Sequence, residues 1–337
     1  MRRKVGWKLE ANYQNGPITE EADKRAEECE VLIEMIREME LMERRERKGL
    51  KTAFVSERWL KPLVVKGMRL PAILRLLVPS YCRMVRRFVR LMDNPNFWVL
   101  PCGVHAARDF VRLYRLMKGD WRCLFRTPKV SIARELGGAV DGFPRMKLWG
   151  YFVEGGSASK KCERGGQVLK ILWCGRMLDW KRVDVLIKAF KQASKQREMA
   201  LQIVGEGPEQ ARLKRLAGDL GEEALKWSPG KISFSGYVPN SRVRELMHEA
   251  DVYVMPSNAE EGWGAIVAEA LAEGCPVIST WEAGSSATLL SNRRLYHAKS
   301  VKELCKRILE FDGTPETYEP KAWNGESGAM KLIGIIK

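Results

Sequence analysis

Four charged residues in the second half of the chain have types and spacing that could do chemistry. In GRMLDWK, Arg176 and Lys181 follow an apolar run. In EGWGAIVAEALAEGCPVIS, the carboxylates Glu261 and Glu269 bracket two glycines and a tryptophan. An arginine fork and a lysine point charge together suit a diphosphate, whose oxygens project in several directions. A helix starting near Gly264 would add free N–H groups and the positive end of a dipole. Glu269 on that helix could accept two hydrogen bonds from a vicinal diol such as a ribose. Glu261, in the preceding loop, could reach hydroxyls on whatever hangs from the diphosphate. Taken singly, each feature also has an ordinary reading. Paired glutamates on a helix are usually solvated, GRxxxxK arises by chance, and GEGP at 205–208 is a common tight turn. Their order on successive strand ends favours a site.

The elements needed to position these residues can be read from periodicity. VLKILWCGRM at 168–177 is a near-continuous apolar run, as a buried parallel strand should be. The helix after it has a stripe of Val183, Leu186, Ile187 and Phe190. MALQIVGEG, KISFSGYV, DVYVMPS and CPVIST read as further strands. PEQARLKRLAGDL, PNSRVRELMHEA, AIVAEALAEG and SVKELCKRILEF read as helices. In PNSRVRELMHEA the stripe is Val243, Leu246, Met247 and Ala250. Strands alternating with helices imply a doubly wound parallel sheet, whose ligands bind at the carboxyl ends of the strands. Those ends are GRM, GEGP, GYVP and PSNAEEGWG.

The first half is less regular. The opening fifty residues are rich in helix formers, with CEVLI a possible strand. Thr52–Val55 reads as a buried strand, FWVLPCGVHAARDFVRLYRLM as strand, turn and helix, and WRCLFR and MKLWGYF as short strands. Glu57 and Arg58 stand at a strand tip and could face a ligand or form a local ion pair. His105 follows a Pro-Cys-Gly turn and could do the same, or hold a structural hydrogen bond at a helix start. The resulting division is an N-terminal domain over 1–152, a linker over 153–167, a C-terminal domain over 168–312 and a tail over 313–337.

Composition narrows the classes. At 337 residues, 45% hydrophobic and 30% charged, the chain fits a globular protein of two domains. No apolar run reaches the roughly 20 residues that span a bilayer, and no secretory signal is evident. Eight scattered cysteines without a CxxC pair argue against a zinc site or a disulfide framework. A cytoplasmic protein is expected. The net charge of +16 is concentrated. Residues 51–90 hold ten lysines and arginines against one acid, Glu57. Mixed with apolar residues, that segment suits an anionic membrane surface or substrate, or an ordinary solvated face. No nucleic-acid signature accompanies it.

Residues 175–181, 203–217, 232–257 and 261–280 together resemble the donor-binding domain of the family 4 glycosyltransferases, or glycosyl transferases group 1. The spacing from Glu261 to Glu269 is that family's signature. The resemblance implies the α/β GT-B fold, two Rossmann-like domains facing a cleft, here with an N-terminal domain that looks incomplete at its start. It implies a retaining transferase in cell-surface polysaccharide assembly, moving a sugar from a nucleotide-diphosphate sugar to a glycan or lipid-linked acceptor, without a metal or other cofactor. By the same carry-over, Arg176 and Lys181 contact the donor diphosphate and Glu269 the ribose. Glu261 and the backbone of Gly262, Trp263 and Gly264 hold donor sugar and phosphate. Val238 lies by the nucleobase, and Gly175 lets the backbone approach. The chain departs from the pattern at Arg182, where the family usually has glycine, and in WEAGSSATLL after CPVIST. A sugar-nucleotide epimerase or hydrolase on the same fold, or a truncated non-catalytic donor-binding protein, are the alternatives.

Overall fold

The computed structural model describes residues 20–35, 39–61, 63–65, 68–153, 168–223, 225–314 and 325–336. Apart from Val153, the expected linker lies outside the described residues, as does much of the expected tail. The chain divides into two compact units, Tyr151–Gly325 and Met1–Gly150 with Glu326–Lys337. The terminal helix therefore groups with the first unit.

The first unit contains, in order, α1 (Glu20–Glu28), β1 (Val31–Glu34), α2 (Met39–Arg47), β2 (Lys51–Ser56), β3 (Leu63–Val65), β4 (Met68–Leu70), α3 (Pro79–Met92), β5 (Phe97–Pro101), α4 (Val104–Met117), β6 (Ala139–Val140) and β7 (Phe143–Lys147). Its main sheet has the order β1-β2-β5-β7-β6. The pairs β1–β2, β2–β5 and β5–β7 are parallel, and β6 closes antiparallel on β7. β2 is buried along Thr52–Val55, and its Phe54 feeds an aromatic core with Phe88, Phe97 and Phe110. Trp59, just past β2, drops into that core. Its ring lies 4.6 Å from Phe88 and 5.2 Å from Phe110, and its indole N–H donates to Ser56 Oγ at 3.0 Å. Burying a ring of this size is worth about 2–3 kcal/mol, which anchors the loop that carries Arg58.

WRCLFR is not a strand. Trp121–Leu124 forms a 3₁₀ turn. The carbonyls a strand would have paired are taken instead by Arg112, which donates to Cys123 O at 2.6 Å and Leu124 O at 2.9 Å. Part of the basic segment is neutralised internally. Arg87 and Arg90 of α3 bind Glu43 of α2, and Lys61 pairs with Glu57 at 3.2 Å.

The second unit is a regular doubly wound sheet. Its elements are β8 (Leu169–Cys174), α5 (Val183–Ala193), β9 (Met199–Val204), α6 (Gln210–Ala217), β10 (Gly221–Glu222), β11 (Ile232–Ser235), α7 (Asn240–Glu249), β12 (Val252–Met255), α8 (Ala265–Ala272), β13 (Val277–Thr280), α9 (Gly284–Leu289), β14 (Leu295–Tyr296) and α10 (Val301–Leu309). α11 (Gly325–Ile336) ends the chain. The seven strands run β10-β11-β9-β8-β12-β13-β14, every pair parallel. The α5 stripe is wholly buried and packs with Ile171, Trp173, Leu201 and Ile203 on one face. Leu172, Val204, Tyr253 and Val277 pack with Leu246, Met247 and Leu271 on the other. Because every strand points the same way, all carboxyl ends fall on one edge.

Candidate nucleotide-sugar site

The ends of β8, β9 and β11 enclose a hollow of about 600 Å³ on that edge. Cys174, Gly175 and Arg176 contribute from β8, and Val204 to Gly207 from β9. Tyr237, Val238, Asn240 and Val243 follow β11, and Ile266 comes from α8. The two glycine-bearing turns lie against each other. Gly175 N–H donates to Val204 O at 3.0 Å, and Met177 N–H donates to Glu206 O at 2.8 Å. Gly205 has φ of +119°, and a Cβ there would lie 2.1 Å from Gly175 O. Only glycine permits that approach. Glu206 in turn accepts the N–H of Tyr237 at 3.2 Å, tying the third strand end to the second.

Arg176 is exposed at the mouth of this hollow and has no carboxylate partner among the described residues. Lys181 has one. It closes a 3₁₀ turn over Asp179–Lys181, forms an ion pair with Glu261, and stacks 4.3 Å above the Trp180 ring. The Glu261 loop is tied to that turn through Asn258, whose N–H donates to Trp180 O at 2.9 Å, while Glu261 N–H donates to Asn258 O at 3.0 Å. Arg182, at the position where glycine was expected, adopts the left-handed conformation with φ of 51°. A side chain there costs about 1–2 kcal/mol of backbone strain. Nε and Nη2 of Arg182 each donate to Asp184 at 2.9 Å, fixing the residue in place.

Glu269 is half-buried on α8, one turn beyond Ile266. The buried Cys174 thiol registers its neighbours. Burial pushes the thiol up to about 12, the Glu269 carboxylate pushes in the same direction, and the Lys181 cation opposes it. Cys174 is thus protonated at neutral pH and supplies no thiolate nucleophile. Gly262, Trp263 and Gly264 are buried and do not line the hollow. Their carbonyls are occupied by α9, which the sequence reading missed. Gly284 N–H donates to Gly262 O at 2.9 Å, Ser285 N–H to Trp263 O at 2.8 Å, and Ser285 Oγ–H to Gly264 O at 2.8 Å. GSSATL has no apolar stripe to betray a helix, but its serines are the residue type that clamps a loop.

The structure thus brings Gly175, Arg176 and Val238 into one hollow, sets Lys181 paired with Glu261, and places Glu269 within electrostatic reach of Cys174. Tyr237, which the sequence reading left out, is 73% exposed on the wall. In the first unit, Glu57 and Arg58 do not pair with each other. Lys61 holds Glu57, and Arg58 binds Asp109 of α4 at 3.2 Å. His105 is buried in the first turn of α4.

A parallel sheet bearing such a hollow at its carboxyl edge has it where doubly wound α/β domains bind their ligands. Residues 158–319, just under half of the chain and most of the second unit, match the family model for glycosyl transferases group 1. Lipopolysaccharide core biosynthesis glycosyltransferase LpsE of Rhizobium meliloti is 31% identical over 114 residues, 34% of this chain and 30% of that protein. A GDP-mannose-dependent monoacylated alpha-(1-6)-phosphatidylinositol monomannoside mannosyltransferase of Corynebacterium glutamicum is 30% identical over 180 residues, 48% of this chain and 45% of that protein. The chain therefore spans less than half the length of either relative in the matched region. Anabaena HepE, solved in complex with UDP and glucose, superposes with a TM-score of 0.51 at 15% identity, over 94% of this chain and 78% of that one. The fold is that of the GT-B glycosyltransferases.

Proposed function

We propose that the protein is a glycosyltransferase that moves a sugar, with retention of configuration, from a nucleotide-diphosphate sugar to a glycan or lipid-linked acceptor. The observation that carries this reading is Arg176, an exposed guanidinium with no carboxylate partner among the described residues, at a glycine-lined hollow at the carboxyl ends of three parallel strands. In transfer, negative charge grows on the departing diphosphate. Arg176 stabilises it there, and so does Lys181 once it exchanges Glu261 for phosphate. The freed Glu261 then meets sugar hydroxyls, Glu269 the ribose and Val238 the base. On this reading neither metal nor other cofactor is needed, since the cations of the chain meet the phosphate charge. Two of the similar proteins lean the same way: HepE was solved with UDP and glucose, and the C. glutamicum relative is named for GDP-mannose. A peripheral place at a cytoplasmic membrane face fits α3, whose Arg83 and Arg86 are exposed and have no carboxylate partner among the described residues.

The test is transfer from a panel of nucleotide sugars, run with and without a chelator and with Arg176→Ala. Replacing one such charge-stabilising donor should lower kcat by roughly 100- to 1,000-fold with the fold intact. Donor turnover that releases free sugar whatever acceptor is supplied would favour a hydrolase. Full activity in the variant would remove Arg176 from the mechanism.

A further inference from the structure

A second hollow lies in the first unit and has a different chemistry. It encloses about 480 Å³ at the carboxyl ends of β2 and β5. Its walls carry Arg58, Arg108, Arg112 and Lys129, with His105, against a single acid, Asp109. That acid is already engaged. It accepts from Arg58 Nε at 3.2 Å and from the Leu60 N–H at 3.1 Å. Arg112 spends its fork on the Cys123 and Leu124 carbonyls, which are neutral, so its charge still faces the cavity uncancelled. Among the described residues, Arg108 and Lys129 have no carboxylate partner. Four fixed cations against one carboxylate leave three charges uncompensated in one concave place. Partial burial makes that costly for the bare protein, because a cation loses hydration and gains no anion. Burial and the nearby Arg134 cation both push Arg108 below its ordinary range.

We infer that this hollow binds a phosphoryl group. A tetrahedral dianion offers acceptor oxygens to Arg58, Arg108 and Lys129 at once, and planar guanidinium forks match phosphate edges. The turn that Arg112 holds also presents Trp121 and Phe125 to solvent, at 67% and 92% exposure. A phosphate carried on an apolar chain would gain contact there, whereas a soluble phosphate would not. The anion site stands on the first unit alone. Naming that phosphoryl group as part of the acceptor rests on the proposed transfer reaction.

The test uses the full chain with Arg176→Ala and Lys181→Ala, which remove both cations that the second unit would offer to phosphate. One arm titrates inorganic pyrophosphate by calorimetry. The other floats the protein with phosphatidylcholine vesicles, with and without phosphatidic acid. Binding in either arm is expected, and the arm that responds tells a soluble phosphate from a lipid headgroup. Adding Arg108→Ala and Lys129→Ala should weaken that binding at least about tenfold. Adding Lys188→Ala and Lys195→Ala, which remove equal charge from the exposed surface of the second unit, should leave it within about twofold. Lys129→Glu alone, at an exposed position, repeats the test should the double variant misfold. No binding in either arm, or equal losses in both double variants, overturns the site. Transfer to uncharged acceptors at an undiminished rate, with pyrophosphate still bound, overturns only the acceptor assignment.

Discussion

The two units put a hollow at the same structural place, the carboxyl ends of parallel strands, and build it from different material. In the second unit the walls are largely backbone and apolar side chains, Arg176 has no carboxylate partner among the described residues, and Lys181 nearby is held by Glu261. In the first unit the walls are cationic side chains around the one buried Asp109. Both units show how a strand end followed by a helix offers a concave, polar position. What differs is where precision comes from. Glycines that let two turns touch fix the second hollow, and an ion pair and an aromatic anchor fix the first.

That contrast can be broken by exchanging the type of perturbation. Gly205→Ala should be the most damaging to the second unit, since it combines a positive φ with a Cβ driven into the Gly175 carbonyl. A loss of roughly 2–4 kcal/mol in urea unfolding is expected, from strain plus overpacking. Unchanged stability would mean that the turns are not locked together. Asp109→Ala addresses the first unit, where it strands the Arg58 fork and the Leu60 N–H. It should cost about 1–3 kcal/mol and leave donor binding in the second unit intact, which a thermal-shift titration with nucleotide sugars would check. Loss of donor binding would contradict the independence of the two hollows.

A smaller effect sharpens the comparison through pH. Burial raises the Asp184 carboxyl, but hydrogen bonds and charge from Arg182 outweigh it and hold the group below its ordinary value. A depressed acid contributes stability that is complete above its unfolded pKa of about 3.9 and is lost as pH falls through the folded value. Asp184→Asn should therefore lower stability at pH 7 by at most about 1 kcal/mol, a difference that shrinks as pH falls and so flattens the acid limb of the stability curve. An acid limb identical to that of the unaltered protein would show that Arg182 gains nothing from the pair. Asp109 is the counterpart, because burial raises it despite Arg58.

Much of the second unit was legible because its strands are short apolar runs and its helices carry a stripe. β8, β9, β12 and β13 and the α5 stripe stand where periodicity put them. α9 was not legible, since hydrogen bonds of its serines and not apolar spacing hold it. The Lys181–Glu261 pair was beyond reach because 80 residues separate its partners and only the fold joins them. WRCLFR misled because its alternation imitates a strand, while Arg112, eleven residues earlier, decides its conformation. The cationic hollow was half visible. Arg58 stood out as charged and close to a strand tip, but nothing in the sequence set Arg108, Arg112 and Lys129 around it.

The indole beneath Lys181 turns this region into its own optical gauge. With the ammonium 4.3 Å from its centre, Trp180 fluoresces in the field of a nearby charge. A ligand that draws the ammonium toward phosphate changes that field, so titration should shift emission without any attached dye. Trp180→Phe should abolish the shift while ten other tryptophans of the chain's eleven continue to emit. A shift that survives in Trp180→Phe would mean that another tryptophan, and not the one beneath Lys181, reports the ligand.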